Sequence, residues 1–437
     1  MSDETTLAER AVADAHRREW ATVLAVTVRI TRDLDLAEEC VQDAYVAALR
    51  TWTSTGIPAK PGAWLTTVAR RNALNAVHRE RILRGKLPLL VDQDGQPDID
   101  DAVIPDDRLR LIFTCCHPAL MRAAQVALTL RLVCGVSTAE IAEAFLVSTA
   151  TMAARITRAK TKIAVAAIPY RIPDSNELPQ RLQSVLTVVH LLYTSGHTAR
   201  TGVELVRIDL VERAIDLARM LYLLLPDQGE VLGLLALLLV NHARHDGRTD
   251  ARGDLVTLEQ QDRRRWDRGM IDEGHQLIIT SLRSGPPGRF TLQAAIAALH
   301  AQAPSFAETD WSQIVTLYDQ LLETWPSPVV ALNRAISISM LDGPAAGLAE
   351  IQALEQSGAL NGYHYLPAAK ADMLRRLGRR ADAGAAYSAA LASTDNAAEQ
   401  RFLAARLAEC GTDSPSTAGA IPRRVGPDAV ITSLRRC

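Results

Sequence analysis

The stretch STAEIAEAFLVSTATMAARITRAKTKI, residues 137–163, decides how this chain is read. Ser137 and Glu140 stand three apart and suit a capping box, in which each side chain satisfies a backbone amide left free at a helix start. Ile141, Ala142 and Phe145 give that helix a buried face, and Ser148 caps a second helix after a short turn. In the second helix Met152, Ile156, Ala159 and Ile163 recur at i, i+4, i+7 and i+11, one apolar stripe. Thr151, Arg155, Arg158 and Lys162 keep the same spacing on the opposite side, and no acidic residue occurs between 149 and 173. One face packs while the other meets phosphates and base edges in a major groove, as in a helix-turn-helix. Its candidate DNA contacts are Thr149, Thr151, Arg155, Arg158 and Lys162. A solvated basic helix in an ordinary bundle is the plainer reading, and the agreement of cap, turn length and both stripes counts against it. One departure is Leu146, which stands where such turns often carry Gly.

Upstream lies LVDQDGQPDIDDAVIPDD (90–107), whose seven aspartates repel one another and bury little, the composition of a linker. Before it, PGAWLTTVARRNALNAVHRERI (61–82) reads as a basic helix with Pro61 in its first turn. Thr67, Arg71, Asn75 and His78 share one stripe of it, with Arg70, Asn72 and Arg79 alongside. Trp64 is either core or a stacking surface, and Thr53–Lys60 is the loop ahead of the helix. Earlier still, DLDLAEECVQDAYVAALRTW (33–52) carries Glu38, Glu39 and Asp43 near Tyr45.

Downstream, the prolines of IPYRIPDSNELP (168–179) mark a boundary. LLYTSGHTARTG (191–202) reads as a loop, and EQQDRRRWDR (259–268) as either an exposed salt-bridged helix or a contact anchored on Trp266. From 180 to about 410 the pattern is helical, and near its end it repeats: Ala335 and MLDGPAAG (340–347) align with Ala371 and RLGRRADAG (376–384). That period, with small residues at the helix crossing, predicts tetratricopeptide-like (TPR-like) helical hairpins.

The composition agrees. Of 437 residues 48% are hydrophobic and only 4% aromatic, with Ala, Leu and Arg abundant, which favours helices over sheets. A net charge of −2 says nothing about nucleic acid, so local charge carries that argument. The opening MSDETTLAER lacks a signal-peptide layout, the apolar run Val231–Val240 is too short for a bilayer span, and the six cysteines form no CxxC pair. A reduced, cytoplasmic protein without membrane contact is expected. Cys115-Cys116-His117 reads as a packed helix end, and His242, His245 and Asp246 lack a distant further ligand, so no metal and no cofactor is expected. Nor do P-loop, GxSxG, HExxH or dinucleotide motifs argue for an enzyme.

The order of 33–52, 61–82, an acidic linker and a helix-turn-helix resembles extracytoplasmic-function (ECF) RNA polymerase sigma factors. LRLIFTCCHPAL (109–120), AQVALTLRL (124–132), the Gln261-Asp262 and Trp266-Asp267 stretch, and SPVVALNRA (327–335) narrow it to the group with a long C-terminal TPR-like extension. The resemblance implies an all-α chain. A first sigma domain would span 8–84, an acidic linker 85–107 and a second sigma domain 108–168. A helical extension would follow at 180–300, then TPR-like repeats at 301–410 and a disordered tail at 411–437. It implies core RNA polymerase as partner, through the largest-subunit clamp and the flap, with Glu38, Glu39, Asp43 and Tyr45 on the clamp side. Promoter DNA would be read at −35 by 149–163 and at −10 by Thr67, Arg70, Arg71, Asn72, Asn75, His78 and Arg79, with Arg71 and Asn72 both candidates for the base reader. Asp262, Trp266 and Asp267 would form a regulatory interface, and the extension would take a protein partner. The aspartate-rich linker is either a plain spacer or a polyanion mimic on the RNA path. A helix-turn-helix activator with a TPR sensor, never a sigma subunit, is the alternative.

Overall fold

The computed structural model describes residues 2–85, 107–145, 147–197, 201–202, 208–250 and 254–411. The linker 86–106, the turn residue Leu146 and the tail 412–437 lie outside the described residues. Among those described the fold is all-α, with eighteen α-helices and one two-residue parallel strand pair, Thr201–Gly202 with Asp395–Asn396. No described helix is long and apolar enough to cross a membrane. The chain divides into two compact units, Met1–Val189 and His190–Cys437.

In the first unit α1 (Ser2–Thr31), α2 (Leu34–Thr55) and α3 (Pro61–Gly85) pack pairwise. Asp33 caps α2, its carboxylate accepting from the amides of Asp35 and Leu36. The buried positions of α2 and α3 are largely alanines at helical spacing, Ala37, Ala44 and Ala48 against Ala69, Ala73 and Ala76, which lets the helices approach closely. Because α2 runs on to Thr55, the expected loop Thr53–Lys60 shrinks to 56–60, opened by Gly56 at φ +85°.

The second half of this unit holds α4 (Asp107–Cys115), α5 (Arg122–Leu128), a π-helical turn (Thr129–Val133), α6 (Thr138–Ala144) and α7 (Thr149–Val165). The capping box forms: the Ser137 amide donates to Glu140 Oε2 at 2.9 Å and the Glu140 amide to Ser137 Oγ at 3.2 Å. Ser148 Oγ accepts from the Thr151 amide, and Met152, Ile156, Ala159 and Ile163 are all buried. Phe145, expected in the buried face with Ile141 and Ala142, is only half-buried, because it closes the turn at the edge of the core. Cys115 and Cys116 are the packed end of α4; burial pushes the Cys116 thiol up to about 11, and His117 Nδ1 accepts from the Ala119 amide.

These two halves are packed on each other. The Trp20 indole N–H donates to the Leu132 carbonyl at 3.1 Å, Tyr170 Oη lies 2.9 Å from the Ala25 carbonyl, and Arg29 faces the buried Asp107 at 3.5 Å. Gly135, at φ +68°, permits the approach: a Cβ there would sit 2.9 Å from His16 and 3.0 Å from Trp20. Helix α8 (Leu178–His197) crosses the division between units. It replaces the loop expected from 191, because Leu192 and Tyr193 are buried and the Ser195 hydroxyl bonds back to the Leu191 carbonyl.

The second unit continues with α9 (Ile208–Leu224), α10 (Gly229–His242), α11 (Arg268–Ser284) and α12 (Arg289–Gln302). The apolar run becomes α10, buried on all sides from Val231 to Asn241 and packed by α9, α11 and α12. Glycine is required at the crossings: a Cβ on Gly233 would meet the Thr291 amide at 2.5 Å, and one on Gly274 would meet Val240 at 2.5 Å. Glu230 caps α12 by accepting from the Phe290 and Thr291 amides. Then α13 (Trp311–Thr324), α14 (Pro328–Leu341), α15 (Pro344–Ser357), α16 (Tyr365–Arg376), α17 (Arg380–Leu391) and α18 (Ala397–Gly411) each pack on the next. Ala335 and Ala371, equivalent in the repeat, are both fully buried, and Gly347 crosses 2.8 Å from the Ala335 carbonyl by the same construction.

Candidate nucleic-acid interface

Helix α7 presents its two stripes as its cap and periodicity dictate. The apolar one is buried, while Thr149, Thr151, Arg158 and Lys162 are exposed and Arg155 is half-buried. Arg155 lies with its guanidinium 6.0 Å from the Phe145 ring centroid, and the Arg158 Nε–H donates back to the Ala154 carbonyl at 3.1 Å. Both contacts hold the stems along the helix and leave donors outward.

On α3, Thr67, Arg70, Arg71, Asn75, His78 and Arg79 are exposed. Asn72 is half-buried and its amide donates to the Cys40 carbonyl at 3.3 Å, tying α3 to α2. The two candidate base readers thereby separate: Arg71 faces solvent and Asn72 braces the bundle. Trp64 is half-buried, edge-on to the buried Trp52 at 5.6 Å. An open cleft of 470 Å³ runs between α2 and α3, lined by Glu39, Cys40, Asp43, Asn75, His78 and Arg79, so the acidic and basic candidates share one surface.

The acidic helix is divided. Glu39 and Asp43 are exposed, but Glu38 and Tyr45 are not available at the surface as expected. Tyr45 packs in the core against His16 and Trp20, with its hydroxyl donating to the Ala15 carbonyl. Glu38 is paired with Arg131 and, at 2.7 Å, with Lys160 of α7; Lys160 also binds the exposed Asp35 at 2.6 Å. Burial pulls Lys160 toward neutrality, yet its hydrogen bonds to Asp35 and Glu38 outweigh that and hold it above the usual lysine range. Lys160 carries its charge at neutral pH. Sequence reasoning missed this pairing. The available signal was the position of Lys160, which falls off the stripe of Arg155, Arg158 and Lys162 and beside the apolar one.

In the second unit each member of the expected regulatory trio takes part in local structure, with Asp262 and Asp267 exposed. Asp262 caps the 3₁₀ turn Arg263–Arg265 and pairs with Arg264, and Asp267 caps α11 by accepting from the Met270 amide. Trp266 is buried under the Arg263 guanidinium, 4.5 Å from its ring centroid, so it is core rather than a surface anchor.

Comparison with known proteins places this geometry. Residues 15–82 match sigma-70 region 2, residues 110–163 match sigma-70 region 4, and residues 181–282 match a family of unknown function, DUF6596. The chain belongs to the extracytoplasmic-function sigma factors. More fully, it is an ECF sigma factor with a C-terminal extension, α1–α3 forming region 2 and α4–α7 region 4. A sigma factor acts in transcription initiation, with core RNA polymerase and promoter DNA as partners. An uncharacterized protein of Rhizobium meliloti (strain 1021) is 43% identical over 391 residues, covering 88% of this chain and 92% of its own. No solved structure matches this ECF factor.

Proposed function

We propose that this ECF factor reads −35 DNA with the exposed stripe of α7 and −10 DNA with that of α3, and that Asp35, Glu39 and Asp43 meet the polymerase clamp. The observation that carries it is the separation of roles on α3 and α7: each buries one apolar stripe and leaves Arg71, Asn75 and His78, or Thr151, Arg158 and Lys162, in solvent. Arginine at such a position supplies a bidentate donor pair to guanine, and threonine and asparagine bond to base edges or phosphates. Carboxylates on α2 would steer a basic clamp and fix its register more than add affinity.

The extension acts as a built-in, TPR-like regulatory domain. Its support is the pair of stacked hairpins α14–α15 and α16–α17, whose buried alanines recur at the repeat offset. Such stacks present a surface suited to peptide segments, so a protein partner is the fitting ligand. The test is transcription in vitro from a cognate promoter with sigma-free core polymerase and the full chain. We expect a transcript that Arg71→Ala and Arg158→Ala each reduce. A transcript made only when a housekeeping sigma factor is added would replace this reading with that of an activator.

A further inference from the structure

The second unit buries cations in excess around the end of α12. Arg244 and Arg248, just beyond α10, are 5% and 1% exposed. Arg263 lies beside them, its Nη1 donating to the His300 and Ala303 carbonyls at 2.7 Å each. Burial lowers Arg244 and Arg248 to about 10, so both stay charged at neutral pH. Among the described residues no carboxylate forms an ion pair with Arg244 or Arg263. Glu399 acts on Arg248 from further off, but His364, Tyr365 and Thr394 already hold it. Glu308, which acts on Arg263, is exposed and accepts from the Ser305 hydroxyl. Buried positive charge of this kind is costly until an anion balances it.

Hydrogen-bonding groups stand open around the same cations. Arg244 donates to Asn241 Oδ1, but neither its Nε–H nor Nη2 of Arg263 meets an acceptor among the described residues. Both ring nitrogens of the buried His300 are likewise unpartnered, and burial, with the fields of Arg244 and Arg263, keeps that ring neutral. The Arg263 guanidinium covers the Trp266 ring, while the buried indole N–H points to no described acceptor. A Cβ built on Gly247 would lie 3.0 Å from that nitrogen and 3.6 Å from Gln261 Oε1, a buried acceptor with no described donor. Glycine at 247 therefore leaves this donor and this acceptor uncovered. Water can bond to such groups, but a neutral molecule does not offset the charge.

We propose that the cluster formed by the end of α12 with residues 243–248 and 261–266 binds a small hydroxylated oxyanion, a phosphate or hydroxycarboxylate group. Arg244 and Arg263 take its charged oxygens in charge-assisted hydrogen bonds, which are the strong ones. The indole and imidazole N–H groups add neutral donors, and Gln261 Oε1 accepts from the hydroxyl. The site lies outside the hairpins α14–α17, so the extension has a small-molecule input in addition to the protein partner proposed for them. It stands independently of the sigma reading.

The test titrates the full chain with inorganic phosphate and, separately, with malate, at an ionic strength fixed with sodium chloride. In a chain labelled at histidine Cε1, the His300 resonance, assigned through His300→Gln, should move to saturation with at least one of them. Which anion acts separates a phosphoryl ligand from a carboxylate. The melting midpoint should rise with the same saturation, because the anion binds the folded chain. Arg244→Gln should weaken uptake about 10- to 150-fold, the loss of one hydrogen bond to a charged group. Gly247→Ala keeps every charge but covers the Trp266 nitrogen, so it should weaken uptake as well, and it decides the matter if Arg244→Gln does not fold. Phosphate held on the basic stripes of α3 and α7 survives both substitutions and leaves His300 unmoved. A His300 resonance that neither anion moves, as water alone in the cluster requires, overturns the proposal. So does saturation that Gly247→Ala leaves unchanged.

Discussion

Gly135→Ala tests the packing between the two halves of the first unit without touching an ion pair. A side chain at φ +68° costs about 1 kcal/mol, but that strain belongs to the turn and is carried whether the halves are packed or apart, so it cancels. What does not cancel is the crowding. The new methyl would lie 2.9 Å from His16 and 3.0 Å from Trp20, where ordinary contact begins near 3.4 Å, so both rings must retreat by 0.4–0.5 Å. Trp20 is 4% exposed and its indole donates to Leu132 at 3.1 Å; the same retreat stretches that bond to about 3.5 Å, where little of it survives. Overpacking of this kind costs about 1–3 kcal/mol and the hydrogen bond about 1 kcal/mol more. A loss of about 2–4 kcal/mol shifts the ratio of packed to separated halves about 30- to 900-fold. Small-angle scattering should show a larger radius accordingly. Gly343→Ala is the control, since it carries φ +95° with nothing within 4 Å of the added carbon. If Gly135→Ala keeps the wild-type radius, the halves are not held by this packing.

Two further outcomes are expected. Arg155→Ala and Arg158→Ala should each weaken −35 binding by about 1–3 kcal/mol if a base contact is lost, and competition across mutated −35 sequences checks it; equal loss on every sequence would assign them to phosphates. In the second unit His190 and His300 are held neutral, both down at about 3, by burial first and then by neighbouring arginines. Their folded pKa lies below the unfolded value near 6.5, so the unfolded chain binds more protons in acid. Stability is complete above pH 6.5 and falls by about 1.4 kcal/mol per histidine per pH unit on the way down to about 3. Thermal melts of the full chain should steepen below pH 6.5, and His300→Gln should flatten that slope.

Much of this was legible in the sequence, because local rules decide it. The Ser137–Glu140 box, the Ser148 cap, the two stripes of α7 and the all-buried α10 need only spacing and side-chain chemistry. What stayed hidden depends on distant partners. Glu38 and Glu39 are adjacent carboxylates with the same propensities, and only Lys160 and Arg131, far along the chain, make one of them interior. Trp266 reads as a surface anchor until Gly247 and Arg263 are seen to enclose it. Helix α8 overruns its expected end because burial of Leu192 and Tyr193 outweighs the Ser-Gly signal at 195–196.

The π-helical turn at Thr129–Val133 works as a spacer of one residue. Its wide turn, with the Cys134 amide donating five residues back to Thr129, accommodates a residue that a regular helix would not. Were the same residues wound as a regular α-helix, everything that follows would be rotated by about 100°. Trp20 would then face the wrong carbonyl and Gly135 would swing off His16, although every cap and stripe beyond it remained intact. A chain that kept the residue but lost the wide turn would retain both stripes of α7 and mount them on the wrong bearing.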